Sequence, residues 1–226
     1  MKRCLILVIV FIASLTQLKS QNLIFSAGLN VSNTNLKFFD PVIITDWYPI
    51  FSPDLMINYE YRFNRSFSFR PGISYSRQGR RTVSDLGPTA YVEYKYVIDF
   101  IDIPFLFSYN VNPRSIGGYS LNLNAGIYLG YGIRGQRIED ILAVVSKDKI
   151  FEGPDAIYRN DYGLMLMTGF GDTENQLSLY FQYGLRNMAT TESDFTKFNR
   201  VAAGLNYSRI IDFGPNARNR LKKRFF

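Results

Sequence analysis

A strict period of two, repeated in eight runs, and connections that alternate long and short predict an all-β fold: a closed antiparallel eight-stranded barrel with up-and-down topology. A third observation concerns the solvent. In each run one parity is broad and apolar and the other small or polar, and the polar parity is too rich in glycine for the wet face of a soluble sheet. The stretch YSLNLNAGIYLGYGIRG, residues 119–135, shows this at once: Tyr119, Leu121, Leu123, Ile127 and Leu129 share one face, and Asn122, Asn124, Gly126, Gly130 and Gly132 the other. It is about three times the usual strand length, as a segment that crosses a bilayer at a tilt needs to be.

The runs fall at residues 23–32, 53–63, 66–77, 97–109, 119–134, 161–171, 176–187 and 199–209. Their connections are 33–52, 64–65, 78–96, 110–118, 135–160, 172–175 and 188–198, which sorts long loops to one end and tight turns to the other. A soluble sandwich has no reason to sort its loops this way, whereas an outer-membrane barrel has short periplasmic turns and longer extracellular loops. After residue 20 no apolar run is long enough for a membrane helix.

With 226 residues, 46% of them apolar and 16% aromatic, the chain has material for one domain with a real core, and disorder is excluded. Residues 1–20 read as a signal peptide: Lys2 and Arg3, an apolar run over residues 5–13, and a cleavage site after Ser20. The single cysteine, Cys4, precedes the apolar run and not a lipoprotein cleavage point, so the expected mature chain has no lipid anchor and no thiol. The barrel then occupies residues 21–209 and a basic tail residues 210–226. The formal charge of +7 invites a nucleic-acid reading, but the leader carries three of those charges and the tail a net four, which leaves the barrel neutral and no nucleic-acid partner expected.

Energy decides which parity faces outward. An arginine or lysine facing lipid at mid-depth costs roughly 2–4 kcal/mol, so turning Glu60, Arg62, Arg70, Asp102 and Arg186 outward would cost on the order of 10 kcal/mol, as much as the whole stability of a domain. The lipid-facing set is therefore Leu55, Ile57, Ile103, Phe105, Phe107, Leu121, Leu123, Ile127, Leu129, Leu179, Phe181 and Leu205. The lumen holds the charges Glu60, Arg62 and Arg70 near the periplasmic end, and Asp102, Arg134, Asp161, Arg186 and Arg200 in the outer half. A soluble lipocalin-like carrier is the alternative, and it would overfill so narrow a lumen with Phe, Tyr, Leu and Ile.

Catalysis is expected to be absent. The chain has no histidine, and the barrel has no cysteine, so a general base near neutral pH would have to be a shifted carboxylate or lysine. No cofactor or metal motif stands out; GYGIRG ends a strand and precedes no helix, so its glycines read as lumen-facing. The lumen charges admit two readings, a salt-bridged plug or an ion gate suggested by their arginine excess. In the longest loop, Ile138, Ile141, Leu142 and Val145 stand at helical spacing and could form a partner-binding helix, although ILAVV is equally β-prone and a hairpin above the membrane is preferred. Arg218, Arg220, Lys222, Lys223 and Arg224 form a basic tail, either solvated or held to acidic headgroups or a periplasmic partner. Trp47, Tyr48, Tyr91, Tyr94, Tyr96, Tyr109, Tyr119, Tyr131 and Tyr162 fit interfacial girdles.

The segments INYEYRFNRSFSFRPGISYSRQG, FIDIPFLFSYNV and FQYGLRNM, with IDIPFLFSY the most specific, resemble the PorT-like outer-membrane β-barrel family. The resemblance covers the mature barrel and implies a non-enzymatic barrel of the bacterial outer membrane with both termini periplasmic. Its founding member implies a role in a protein-secretion apparatus; the wider family shares the barrel alone. The expected function is a structural, binding or assembly scaffold working through extracellular loops. Outer-membrane lipid is one partner, and a protein at the loops or tail another. Membership of a secretion apparatus, a small-solute or ion channel, and the soluble carrier are the alternatives.

Overall fold

A computed structural model describes residues 21–38, 46–87, 90–111, 119–141, 144–153, 156–190 and 195–213. The leader, Leu142 and the basic tail lie outside the described residues. Nine strands follow in order: β1 (Gln21–Phe38), β2 (Asp46–Arg62), β3 (Phe67–Gly87), β4 (Ala90–Asn110), β5 (Ser120–Ile141), β6 (Val144–Lys149), β7 (Asn160–Gly171), β8 (Asn175–Gly184) and β9 (Phe195–Asp212). Eight of them pair antiparallel in a ring, β1-β2-β3-β4-β5-β7-β8-β9, which closes between β9 and β1. The short β6 stands outside the ring as a hairpin partner on the upper part of β5.

The interior is polar and the exterior apolar. Along β9, Leu205 and Tyr207 are exposed while Asn206 and Ser208 are buried; along β1, Leu29 is 65% exposed and its neighbour Asn30 is 0%. This inversion is the arrangement a hydrocarbon solvent demands, and it removes the lipocalin-like alternative, whose apolar groups would point inward. Aromatic pairs collect at the turn end, with Phe67 against Tyr109 at 5.0 Å and Tyr119 stacked on Phe170 at 5.6 Å. Tyr131 and Tyr162 are exposed at the other end. At about 3.4 Å per residue and a tilt near 40°, the rise from Tyr119 to Tyr131 is roughly 30 Å, close to the hydrocarbon thickness of a bilayer.

Tight turns close one end. Between β2 and β3, Asn64 Oδ1 accepts the backbone N–H groups of Ser66 and Phe67. Between β7 and β8, Asp172 Oδ1 accepts those of Glu174 at 2.7 Å and Asn175 at 2.6 Å, and these bonds hold its pKa below the usual carboxylate value.

At the opposite end the strands run on past the membrane. Of residues 78–96, expected as a loop, 78–87 and 90–96 are instead the tops of β3 and β4, paired from Gln78↔Ile98 up to Gly87↔Ala90. The period is hard to read there because the outer face meets water while the inner face mixes polar Gln78 and Thr82 with apolar Val92 and Tyr96: Arg81 and Glu93 form an exposed ion pair at 2.6 Å, although Thr82, Val83, Val92 and Tyr94 favour strand. Residues 136–141 pair with β6 as a hairpin, so Ile138, Ile141 and Val145 lie on strands and not on a helix.

Candidate functional site

The lumen is the largest concentration of polar side chains in the molecule, and its chemistry follows from strand parity. Near the turn end Glu60, 2% exposed, gathers five donors. Its Oε1 accepts from Arg70 Nε at 2.9 Å and Nη2 at 2.5 Å and from Ser68 Oγ at 3.0 Å; its Oε2 accepts from Asn22 Nδ2 at 2.6 Å and Arg62 Nε at 2.9 Å. Arg70 also donates to Asn124 Oδ1. Arg62 reaches this cluster from the rim, with nearly half of its side chain exposed.

Midway up, Arg200 from β9 is fully enclosed. Its two terminal nitrogens grip both oxygens of Asp102 at 2.9 Å, Nη1 also reaches Asp161 Oδ2 at 3.2 Å, and Nε donates to Gln78 Oε1 at 3.1 Å. Gln182 donates to Asp102, and Tyr128 OH donates to Asp161 at 2.7 Å. Phe100 lies flat against the guanidinium, 3.6 Å from its carbon. Four strands, β3, β4, β5 and β7, thus send side chains to one cation from β9, with Gln182 of β8 behind Asp102, so these buried charges are paired and hydrogen-bonded, which is the condition for keeping them out of water.

Above this network an apolar cap fills the mouth. Tyr96, Ile98, Phe100 and Phe198 point inward from β4 and β9, and Ile150, Ile157 and Met188 fold in from the connections. The connecting segments are fixed by backbone bonds, Ile150 N–H to Gly135 O, Tyr158 N–H to Met188 O and Met188 N–H to Phe198 O. Tyr96 is therefore a cap residue, 2% exposed, and not a girdle aromatic; Tyr94 packs beside it.

The glycines of GYGIRG make this filling possible. A Cβ on Gly130 would fall on Asp102 Oδ1 and 2.6 Å from Arg200 Nη1, and one on Gly132 would enter the Phe151 ring. Gly130→Val is expected to lower unfolding free energy by about 1–3 kcal/mol through overpacking, read from the urea midpoint of the chain refolded in lipid vesicles; an unchanged midpoint would mean that the lumen has slack there.

Two of the expected lumen charges lie elsewhere. Arg134 is exposed on the outer face, because Ile133 is an extra residue on β5: Asp99 pairs with Arg134 but Phe100 with Gly132, so parity flips across the bulge. Arg186 lies beyond the end of β8 at Gly184 and stacks outside over Tyr158 at 4.9 Å. Conversely, Asp54 is buried and accepts from Asn206 Nδ2 at 2.7 Å, although it was not singled out in the sequence. The enclosed charges are then Asp54, Glu60, Asp102 and Asp161 against Arg70 and Arg200, so the arginine excess behind the ion-gate reading is not there. The outward set from Leu55 to Leu205 lies on the exterior, with Phe105 and Leu121 half-buried. Among the described residues no group of three or more His, Cys, Asp or Glu is placed to hold a metal ion.

Residues 17–190 match the model of a family described as outer membrane protein beta-barrel domain. No curated protein matches in sequence. Among solved structures the chain is similar to Ail, the attachment invasion locus protein of Yersinia pestis, at 12% identity over 86% of this chain and 100% of that chain, with a TM-score of 0.41. It is similar also to Neisserial surface protein A at 12% identity, covering 84% and 96% with a TM-score of 0.42. OprG from Pseudomonas aeruginosa shares 9% identity, with 86% and 97% covered and a TM-score of 0.45.

Proposed function

Because the chain belongs to the outer membrane protein β-barrel domain family, we propose that it is a sealed, non-enzymatic barrel that serves as a binding or assembly scaffold through the strands it raises above the bacterial outer membrane. The observation that carries this reading is the double closure of the lumen, by the Arg200 network and by the apolar cap above it. A lumen filled in this way leaves the projecting surface to do the work.

That surface is a sheet of β3, β4, β5 and β6 that continues above the ring. Its last strand, β6, pairs with β5 on one side only among the described residues, and Val144 is 72% exposed at its tip. A free strand edge with apolar side chains beside it suits the addition of a partner's strand. Lys147 and Lys149 lower down on the same strand discourage indiscriminate pairing. In this reading the tight turns and both termini are periplasmic, the chain beyond the end of β9 at Asp212, and not from residue 210, forms a periplasmic tail, and residues 1–20 are removed on export.

Planar-bilayer recordings are expected to show no conductance steps for the wild type or for Asp102→Ala, since the cap closes the mouth in both; steady steps in either would revive the channel. A cysteine at Ser146 is expected to react with a membrane-impermeant maleimide on intact cells, and failure to label would overturn the orientation. Deleting residues 138–149 without altering any crosslinked partner would overturn the binding role.

A further inference from the structure

Outside the lumen, two arginines stand on the outer wall where the barrel steps down, and a third closes the step from the inner side. β5 rises to Ile141, but β7 starts at Asn160 and β8 ends at Gly184, so the wall is low between them. Arg159 sits at this step, its guanidinium 4.5 Å from the Phe151 ring and its Nη1 donating to Gly132 O at 3.3 Å. Arg186 lies on the outer side of the step, with its backbone N–H bonded to Tyr162 O and its side chain over Tyr158. Arg134 is exposed on the adjoining strand, two positions above Gly132.

The other exposed arginines on the strands have carboxylate partners, Arg62 with Glu60, Arg77 with Asp99, Arg81 with Glu93 and Arg209 with Glu174, whereas Arg65 in the turn after β2 has none among the described residues. Arg134, Arg159 and Arg186 have none within ion-pair distance among the described residues. Asp99, which faces Arg134 across the ladder, is already held by Arg77 at 2.7 Å and 3.3 Å. Asp161 turns the other way, into the lumen toward Arg200. The barrel's own charge sums to zero, so the positive spot is local and not part of a general field.

Beneath the arginines is an outward-facing cleft of about 380 Å³ lined by Ile101, Ile103, Leu129, Tyr131, Tyr162 and Arg186. Its floor is apolar, its rim is aromatic, and its cation stands on the water side. We propose that this step binds a phosphate-bearing lipid of the outer leaflet, with the phosphate held by Arg134 and Arg186 and a hydrocarbon chain laid along Ile101, Ile103 and Leu129. Guanidinium is the side chain whose planar fork matches phosphate oxygens in pairs, and the aromatic boundary puts it at headgroup depth. The choice of outer leaflet rests on the orientation proposed above; the binding itself does not.

The test uses the full chain purified in detergent micelles and titrated with diphosphoryl lipid A, with bound lipid counted by native mass spectrometry. One tightly bound lipid per barrel is expected. Affinity is expected to fall by about tenfold or more in Arg134→Gln/Arg186→Gln and by a smaller factor in Arg186→Gln alone, while Arg209→Gln at the opposite rim leaves it unchanged. The wild type should bind a phosphate-free form of the same lipid about tenfold more weakly, an arm that needs no variant to fold. Inorganic phosphate in large molar excess should not displace the lipid. Equal affinity in the double variant, equal affinity for the phosphate-free lipid, an equal loss in Arg209→Gln, or displacement by inorganic phosphate would each overturn the site. Maleimide labelling at position 146 tests sidedness separately, so failure of the site and failure of the orientation give different results.

Discussion

Replacing Arg200 with methionine is expected to lower the unfolding free energy of the barrel by about 3–5 kcal/mol, the cost of leaving buried carboxylates without their cation. Asp102 and Asp161 would then face each other across a lumen already closed above by Phe100 and Phe198. Trp47, the only tryptophan, provides a fluorescence signal for urea titrations in lipid vesicles. The triple variant Arg200→Met/Asp102→Asn/Asp161→Asn is expected to regain most of that loss, because an amide still accepts from Gln182 and from Tyr128 without carrying charge. Such recovery is the signature of a coupled network and not of three independent contacts. A loss below about 1 kcal/mol for the single variant, as for a solvent-exposed pair, would mean that water reaches the cluster, and the plug would have to be abandoned.

How much of this network could be read beforehand differs residue by residue. Glu60, Arg70, Asp102, Asp161 and Arg200 are legible because the side-chain period of a strand is two and the penalty for a lipid-facing charge fixes which parity is inward. Asp54 carries the same signal, since it shares parity with Asn58 and Glu60 on β2. Gln182 carries it too, on the polar parity of its run, whereas Gln78 does not, because it falls at the start of the stretch expected as a loop. Arg134 and Arg186 are misplaced by periodicity for physical reasons: a bulge at Ile133 inserts a residue, and β8 stops before the run of apolar residues does. The cap was not legible at all. Ile150, Ile157 and Met188 sit in connections with no period, and nothing local says that they fold into the mouth. Above the membrane the pattern weakened because lipid no longer disciplines either face, and strands there passed for loops.

Leu205→Arg tests the premise beneath every other assignment, that hydrocarbon covers the outer wall. Leu205 lies in a row with Leu29 on β1 and Leu179 on β8, its register partners, and all three are exposed. If lipid surrounds that row, the substitution is expected to cost about 2–4 kcal/mol in vesicle-refolded protein, read as a lower urea midpoint at unchanged slope. If water surrounded it, an exposed leucine-to-arginine change would stay within about 0.5 kcal/mol. The strand supplies its own depth control. Arg209, further toward the turns, is already an exposed arginine paired with Glu174 at 2.9 Å, so the charged rim begins there. Ile211→Arg, beyond that rim and 40% exposed, is accordingly expected to cost about 0–1 kcal/mol. A steep difference between the two positions follows from a boundary between hydrocarbon and headgroups lying between them, whereas equal costs would leave the apolar exterior without a solvent to explain it.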